Sequence, residues 1–324
     1  MNIALADPVP MKKTREGFGR ALVELGEENP NVCVLVGDLS ESTMTHFFAQ
    51  KFPERFFQMG VAEQNMCGVA AGLAVMGKIA FYSTYGAFAA CRDLDQIRVT
   101  LCYTKLNVKI GGAHGGISVG PDGATHQAME EFAIMRSLPN MNLVVPCDFQ
   151  EARKATKASA AVEGPVYIRF GREDVPVVTD ESTPFTFGKG EIFGEGGDVT
   201  VIACGTMVYE ALRARQELAR EGVSARVVNL HTLKPLDAEL IVRAARETGA
   251  LVTAEEHQVN GGLGGAVAEV VVREHPVPVE MVAVWDRFGQ SGKPAELMDA
   301  FGLRARDIVA AARRALGRKK NARS

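Results

Sequence analysis

Residues 60–77, Gly-Val-Ala-Glu-Gln-Asn-Met-Cys-Gly-Val-Ala-Ala-Gly-Leu-Ala-Val-Met-Gly, constrain the fold of this chain most strongly. Their small and apolar side chains predict one helix that packs closely on its neighbours, because no charge follows Glu63 within the stretch. An acid in a first turn is commonly a surface residue favoured by the helix dipole. This helix, however, is predicted to be buried nearly all round, with no basic residue near Glu63 in sequence. A buried carboxylate needs a partner, which indicates a ligand-binding or catalytic role.

The rest of the chain alternates short apolar runs with segments of helical periodicity, which predicts an α/β fold. The predicted strands fall into two groups, at 32–36, 78–84, 107–110, 142–145 and 166–170, and then at 199–203, 225–229, 250–253 and 279–284. Between the groups, residues 172–198 contain Pro176, Pro184 and several glycines without a clear period. We therefore predict two consecutive three-layer α/β domains, at 1–175 and 198–324, joined by a linker at 176–197.

Composition excludes several other classes of protein. A chain of 324 residues is long enough for two cores, and its net charge of -3 gives no reason to expect nucleic acid or a membrane surface as partner. The N-terminus lacks a signal-peptide pattern and no apolar run reaches membrane length, so a cytoplasmic location is expected. The six histidines and six cysteines show no metal-binding spacing, so no metal ligand is expected from this chain.

A glycine-dense segment at 111–127 predicts a structured loop near a ligand. It holds six glycines together with His114, Asp122 and His126. Glycines let a backbone turn tightly and approach a ligand closely, so the segment is not expected to be a flexible linker. Polar residues also follow the predicted strand at 32–36, where parallel sheets place ligands beyond the carboxyl ends of their strands. Two histidines beside an aspartate in such a loop are typical of a binding site.

Four separated motifs carry a resemblance to a known family. They are Met-Gly-Val-Ala-Glu-Gln-Asn at 59–65, Asp-Gly-Ala-Thr-His-Gln at 122–127, Arg-Ser-Leu-Pro-Asn at 136–140 and Leu-Lys-Pro-Leu-Asp at 233–237. In order and spacing they resemble the C-terminal half of the transketolases over nearly the whole chain. The resemblance implies a pyrimidine-binding domain for thiamine diphosphate, followed by a transketolase C-terminal domain. It also implies transfer of a two-carbon ketol unit from a ketose donor to an aldehyde acceptor.

The resemblance implies roles at the cofactor. Glu63 matches the glutamate that bonds N1′ of the aminopyrimidine, where a carboxyl group in a dry site promotes the imino form that deprotonates thiazolium C2. Phe88 matches a ring packed on the aminopyrimidine, and Asp38 matches an aspartate near the cofactor at the subunit interface. Two aromatic positions of the family appear here as Cys91 and Leu94, for which Tyr85 is expected to compensate. Gln64 replaces a histidine that usually follows the catalytic glutamate.

The resemblance also implies a set of substrate contacts. His114 and His126 match catalytic histidines that contact the reacting oxygens of the sugar, and Asp122 matches an aspartate that reads a substrate hydroxyl. The positions that hold the terminal phosphate of the substrate are occupied by Arg15, Ser42 and Arg172. Guanidinium groups suit this role because their fork can bind two phosphate oxygens at once. The set favours a phosphorylated sugar.

One part of the family pattern is missing. The Gly-Asp-Gly motif that holds Mg²⁺ and the cofactor diphosphate in these enzymes is not matched by Gly37-Asp38-Leu39. Thiamine diphosphate binds between the two kinds of domain, so this chain is not expected to hold it alone. The resemblance implies a separate N-terminal transketolase subunit that carries the diphosphate-binding domain and ligates Mg²⁺, most simply in an α2β2 assembly.

Two alternatives remain open from the sequence. One is the β subunit of a 2-oxoacid dehydrogenase or a related thiamine-dependent synthase, although the segments at 125–127 and 136–140 and the phosphate-binding set favour a transketolase. The other is a regulatory or scaffold subunit that keeps the fold without catalysis, against which the retention of Glu63, His114, Asp122 and His126 argues. The sequence does not identify the donor or the acceptor, and pentose phosphate intermediates are one option among several.

Overall fold

The computed structural model describes residues 2–321 and confirms the predicted α/β class with two mainly parallel sheets. Met1 and residues 322–324, at the outer ends of the two predicted domains, lie outside the described residues. The strands are β1 Met11–Lys13, β2 Val32–Val36, β3 Phe56–Gln58, β4 Ile79–Tyr85, β5 Val108–Ala113, β6 Asn142–Val144, β7 Val166–Arg169, β8 Asp174–Pro176, β9 Glu191–Gly194, β10 Val199–Ala203, β11 Ala225–Asn229, β12 Thr232–Lys234, β13 Leu251–Gln258 and β14 Val279–Val284.

Helices cover both sheets. They are α1 Thr14–Glu28, α2 His46–Lys51, α3 Glu63–Val75, α4 Gly86–Cys91, α5 Leu94–Gln96, α6 Glu131–Ser137, α7 Phe149–Ala160, α8 Met207–Arg220, α9 Ala238–Thr248, α10 Leu263–Glu274, α11 Pro294–Ala300 and α12 Ala305–Asn321. The predicted single helix at 86–103 is instead broken into α4, α5 and a π-helical segment, Ile97–Tyr103. In the described part of the chain, none of the helices combines the length and the apolar character that a membrane span requires.

The first sheet has the order β12-β6-β7-β5-β4-β2-β3, and the second has the order β14-β13-β10-β11-β9. Strands β2 to β7 run parallel, which explains why β2 reads Val-Cys-Val-Leu-Val with every residue buried. Strand β12 comes from the second half of the chain and pairs antiparallel with β6 at the edge of the first sheet. Strand β9, within the predicted linker, adds an antiparallel edge to the second sheet.

Helix α3 confirms the buried position of Glu63 and corrects the prediction for the rest of the helix. Glu63 is the first residue of α3 and is 1% exposed. The prediction of burial nearly all round is wrong for the single chain, because one face of α3 is exposed. We call this the α3 face, and its residues are Gln64, Asn65, Gly68, Val69, Gly72, Val75 and Met76. A face without charge, left uncovered by the described chain, is typical of a surface that binds another protein.

A buried ionic network joins the two halves of the chain. Arg169, at the end of β7, lies 3.4 Å from the carboxylate of Glu131 and 3.6 Å from that of Glu256 on β13, and all three side chains are at most 3% exposed. Glu256 also accepts hydrogen bonds from the backbone N–H of Ser118 at 2.6 Å and from the Thr206 hydroxyl at 3.0 Å. The bond between Ser118 and Glu256 connects the glycine-dense loop to the second domain. Arg169 compensates the buried carboxylate of Glu256, which would be costly without a partner.

The packing of α1 on α7 generates the first prediction. A Cβ atom on Gly17 would collide with the carbonyl oxygen of Phe149 and lie 3.1 Å from the Cβ of Ala152. Gly17→Ala is therefore expected to lower the free energy of unfolding by about 1–3 kcal/mol, the usual cost of overpacking. In urea unfolding experiments the matched control is Gly317→Ala on α12, where a Cβ atom meets open space and helix propensity favours alanine by up to about 1 kcal/mol. Equal stability of the two variants would contradict this packing.

Candidate active site

The candidate site lies at the carboxyl ends of β2, β4, β5 and β7. The register brings these ends together, because Val36 pairs with Ser83, Tyr85 with Ala113 and Gly112 with Arg169. Side chains that follow these strands point into one cleft, as expected for an open parallel sheet. Hydrogen bonds, ring contacts and electrostatic interactions link nine of the ten predicted site residues there: Arg15, Ser42, Glu63, Tyr85, Phe88, His114, Asp122, His126 and Arg172.

Glu63 has a basic partner that the sequence did not reveal. Its Oε2 accepts a hydrogen bond from Nη1 of Arg92 at 2.7 Å, and the Thr84 hydroxyl donates to Oε1 at 3.4 Å. Arg92 lies 29 residues further along the chain, directly after α4, and its guanidinium carbon lies 4.4 Å from the centroid of the Phe88 ring. A charge-assisted hydrogen bond of this length stabilises a buried carboxylate strongly.

Two histidines and two aromatic rings form the middle of the cleft. The Tyr85 ring lies 4.1 Å from that of His114 and 5.6 Å from that of His126, while Phe88 lies 5.4 Å from His126. His114 is 2% exposed, has a φ of 57°, and its Nδ1 is buried without a hydrogen-bond partner among the described residues. Burial, and then the charges of Arg15, Arg172 and His126, lower the pKa of His114 to about 3. Its imidazole is therefore neutral at pH 7 and can donate or accept a hydrogen bond.

The far end of the cleft is cationic. Arg15 donates from Nη1 to the carbonyl oxygen of Ser42 at 2.8 Å, and the Tyr85 hydroxyl donates to Ser42 Oγ at 3.3 Å. Arg172 donates from Nη1 to Asp122 Oδ1 at 3.1 Å. Arg15 Nε is buried and has no hydrogen-bond partner within residues 2–321. Burial, and then the nearby Arg172 guanidinium, lower the pKa of Arg15, so an anion placed between the two cations would be stabilised.

The glycine-dense loop is ordered by side chains that the sequence analysis did not single out. Gln127 is 3% exposed, and its Nε2 donates to the carbonyl oxygens of Ile117 at 3.1 Å, Gly120 at 3.3 Å and Gln290 at 3.0 Å. These bonds, with the Glu256 contact to Ser118, fix the loop from inside. Gly120 has a φ of 81°, which a residue with a side chain rarely adopts. The loop is therefore structured, as predicted.

Asp38 differs from the other predicted site residues. It lies in the turn after β2 with a φ of 61°, and its backbone N–H donates to Gln58 Oε1 at 2.7 Å. Its side chain is exposed and, within the described chain, takes no part in the contacts that join the other nine residues. An exposed carboxylate at the rim of the cleft remains compatible with the predicted position at a subunit interface.

Asp93 is a second buried acid that the sequence analysis missed. Its side chain is completely buried, and neither carboxylate oxygen has a hydrogen-bond partner in the described part of the chain. Burial, and then the charge of Glu63, raise the pKa of Asp93 from 3.8 to about 7. The segment at 86–103 read as one regular helix, so nothing in its periodicity distinguished Asp93 from a surface acid.

The residues present fit one end of thiamine diphosphate. An aminopyrimidine ring requires an apolar face and a carboxyl group in a dry position. The cleft provides the Phe88 ring and the Glu63 carboxyl group, which is 1% exposed, and Arg92 contacts both. Among residues 2–321, no group of three or more His, Cys, Asp or Glu side chains is placed to hold a metal ion. The fit therefore concerns the pyrimidine ring alone.

Comparison with known protein families assigns both halves of the chain. Residues 11–178 match the model for the transketolase pyrimidine-binding domain, and residues 188–308 match the model for the transketolase C-terminal domain. The fold and the cleft thus define the pyrimidine-binding part of a thiamine-dependent enzyme. The chain belongs to the transketolase family and corresponds to its C-terminal section.

Three similar proteins are also separate transketolase subunits. A solved structure of a split-gene transketolase, described as an inactive β4 tetramer, has a TM-score of 0.90 and 54% identity, covering 95% of this chain and 99% of that one. A 6-deoxy-6-sulfo-D-fructose transketolase subunit from Clostridium sp. is 44% identical over 94% of this chain and 95% of its own length. An apulose-4-phosphate transketolase subunit from Phocaeicola vulgatus is 38% identical over 89% of this chain and 93% of its own length.

The raised pKa of Asp93 generates a prediction about stability and pH. Because this pKa is about 7 in the folded chain and 3.8 for an ordinary aspartate, the folded chain binds more protons between these values, and stability is lost as the pH rises through that window. Asp93→Asn removes this loss. The melting temperature of the variant minus that of the native chain should therefore increase as the pH is raised from 4.5 to 7.5. The matched control is Asp95→Asn, which changes an exposed acid two residues away. A constant difference in melting temperature would contradict the buried, unpaired state of Asp93.

Proposed function

We propose that this chain, joined to an N-terminal subunit, transfers a two-carbon ketol unit from an anionic ketose to an aldehyde acceptor. The observation that carries the proposal is a single cleft with a buried carboxyl group at one end and two arginines at the other. Neutral His114 and half-buried His126 lie between these ends. This order matches a substrate whose reacting carbons lie beside the cofactor and whose anionic group lies at the cationic end.

Glu63 and Phe88 are proposed to hold the aminopyrimidine ring. When bound, thiamine diphosphate supplies the carbanion chemistry that breaks the carbon–carbon bond beside the ketose carbonyl. Glu63 would share a proton with N1′ of the ring, and its burial would keep water from competing for that proton. Phe88 presents an apolar face to the ring, and Tyr85 closes the side of the cleft next to His114. Asp38 lies at the rim, towards the proposed partner.

The histidines and Asp122 are proposed to handle the oxygens of the sugar. A neutral His114 donates a hydrogen bond to the substrate carbonyl without adding a charge to a site that already contains two guanidinium groups. His126 exchanges protons with the hydroxyl groups on the same side, and its Nδ1 lies 2.8 Å from the Thr125 hydroxyl. Asp122 accepts a hydrogen bond from a hydroxyl group further along the substrate, and its Oδ1 lies 3.1 Å from Nη1 of Arg172.

The cationic end sets the substrate class. Arg15, Arg172 and Ser42 are proposed to bind a terminal phosphate, since two guanidinium groups and a hydroxyl provide several donors for its oxygens. The named substrates of the two similar transketolase subunits include one sugar phosphate and one sulfo sugar. Both groups are tetrahedral and anionic, so a sulfonated ketose is a second candidate donor for the same end of the cleft.

The proposed partner supplies the remaining half of the cofactor site. It carries the diphosphate-binding domain and ligates Mg²⁺, in an α2β2 assembly that contains two copies of this chain. Support comes from the exposed α3 face, which is uncharged and begins directly beside Glu63. Further support comes from the similar split-gene protein, whose tetramer of β chains alone is described as inactive.

The family matches favour this function over the alternatives that the sequence left open. The relatives that match over nearly their whole length are transketolase subunits, which disfavours the β subunit of a 2-oxoacid dehydrogenase. A regulatory or scaffold subunit would need no buried carboxyl group beside an aromatic face. Activity measurements on variants of the assembled enzyme decide this second alternative directly.

Glu63→Gln tests the catalytic proposal. Glutamine keeps the size of the side chain but cannot share a proton with the aminopyrimidine, so turnover by the complex with the N-terminal subunit should fall at least about 100-fold. Assembly, followed by size-exclusion chromatography, should be unchanged because Glu63 is buried away from the α3 face. Glu274→Gln, at an exposed position on α10, provides the control. Unchanged turnover in the Glu63 variant would leave the regulatory alternative standing.

Arg15→Met tests the anionic end of the cleft. Loss of one charge-assisted contact of about 1.5–3 kcal/mol should raise KM for a ketose phosphate about 10- to 100-fold. KM for the corresponding unphosphorylated ketose should change little, because that substrate has no group at the cationic end. Arg20→Met, on the exposed side of the same helix, is the matched control. Equal effects on both substrates would show that Arg15 does not bind the phosphate.

A further inference from the structure

Arg92 makes the two contacts that the aminopyrimidine ring would need. Its guanidinium group donates to Glu63 Oε2 at 2.7 Å, and its central carbon lies 4.4 Å from the Phe88 ring centroid. A planar, cationic group therefore covers an aromatic face and engages the buried carboxyl group at the same time. Neither the helix pattern nor the transketolase resemblance assigned a role to this residue.

The two partners of this ion pair differ in their freedom to move. Glu63 is 1% exposed and lies in the first turn of a helix packed through small residues, whereas the Arg92 side chain is 44% exposed. An arginine can withdraw its charged group into water while its stem stays packed, but a buried carboxylate cannot follow. Separation of the pair therefore requires motion of Arg92 alone.

The backbone around Arg92 is held in place. The Arg92 N–H donates to the Phe88 carbonyl oxygen at 2.9 Å, and Gln64 Nε2 donates to the Arg92 carbonyl oxygen at 3.2 Å. Gln64 lies on α3, next to Glu63, so both ends of the ion pair are anchored to the same helix. We therefore expect Arg92 to leave the Phe88 face by a change of rotamer, because its side chain is 44% exposed and its backbone is held.

We propose that Arg92 is a placeholder for the aminopyrimidine ring. In the chain without cofactor it neutralises Glu63 and covers Phe88, and it withdraws towards solvent when the ring enters. The inference rests on the proposed function, in which Glu63 and Phe88 receive that ring. Since the ring must displace a charge-assisted bond to a buried carboxylate, Arg92 lowers the affinity for the cofactor. Arg92 also keeps the buried carboxylate of Glu63 paired until the aminopyrimidine ring binds.

The test measures cofactor binding to the assembled complex with calorimetry. With Mg²⁺ present, Arg92→Met should bind thiamine diphosphate about 10-fold more tightly than the native complex, and Arg92→Gln should also bind more tightly. Glutamine can still donate a hydrogen bond to Glu63, so Arg92→Gln can be measured even if Arg92→Met destabilises the chain. Arg220→Met, at an exposed position at the end of α8, removes the same charge far from the cleft and should bind as the native complex does.

A second measurement uses this chain alone. The free aminopyrimidine fragment of thiamine should bind to Arg92→Met more tightly than to the native chain, as followed by chemical-shift changes in the Phe88 and Tyr85 rings. Equal or weaker binding of thiamine diphosphate to both Arg92 variants, or equal or weaker binding of the fragment to Arg92→Met, would overturn the placeholder inference. If the native complex itself fails to bind thiamine diphosphate, the proposed function falls, and this outcome is distinct from a failure of the Arg92 inference.

Discussion

The burial of one carboxylate determines how the rest of this site is arranged. Glu63 is placed at the start of α3 by a helix whose small residues pack against the first sheet, and in this position it has lost nearly all contact with water. A charge in such a place must be compensated, and the chain does so with Arg92 at 2.7 Å and with the hydroxyl of Thr84. The same dryness is what the proposed proton exchange with an aminopyrimidine requires. The ion pair of the free chain and the proposed chemistry therefore depend on the same buried carboxyl group.

A second electrostatic arrangement positions the opposite side of the cleft. Arg169 pairs with Glu131 and Glu256 below the glycine-dense loop, and Glu256 reaches across from the second domain to hold the backbone of Ser118. The loop in turn presents His114 to the cations Arg15 and Arg172, which help to keep its imidazole neutral. The second domain thus contributes to the site without placing a side chain on the proposed substrate. A buried ionic network of this kind can fix geometry even where its net effect on stability is small.

The sequence predicted those parts of the site that depend on local pattern. Continuous apolar runs such as Val32–Val36 identified buried parallel strands. The rule for the carboxyl ends of such strands predicted a ligand site at the polar residues after Val36, and Ser42 from this segment lies 3.3 Å from the Tyr85 hydroxyl in the cleft. The roles of Arg92 and Asp93 were not predicted, because the periodicity of residues 86–103 indicates one regular helix. In the structure the helix is broken there, so that the Arg92 side chain contacts Glu63 and the Asp93 side chain is buried. The exposure of the α3 face was not predicted for a different reason. The sequence of an uncharged helix predicts burial, but it does not show whether the helix is buried by its own chain or by another chain.

The dual character of α3 links assembly to chemistry. Glu63 lies at its first residue on the buried side, and Gly72 lies nine residues later on the α3 face, about 14 Å along the axis at 1.5 Å per residue. A rigid helix of this length transmits any displacement at one end to the other. In the proposed complex, a subunit that packs on the α3 face would therefore fix the height and rotation of Glu63 at the moment when the diphosphate half of the site arrives. Division of the enzyme into two polypeptides then costs little geometric precision, because the helix that meets the partner is the helix that carries the acid.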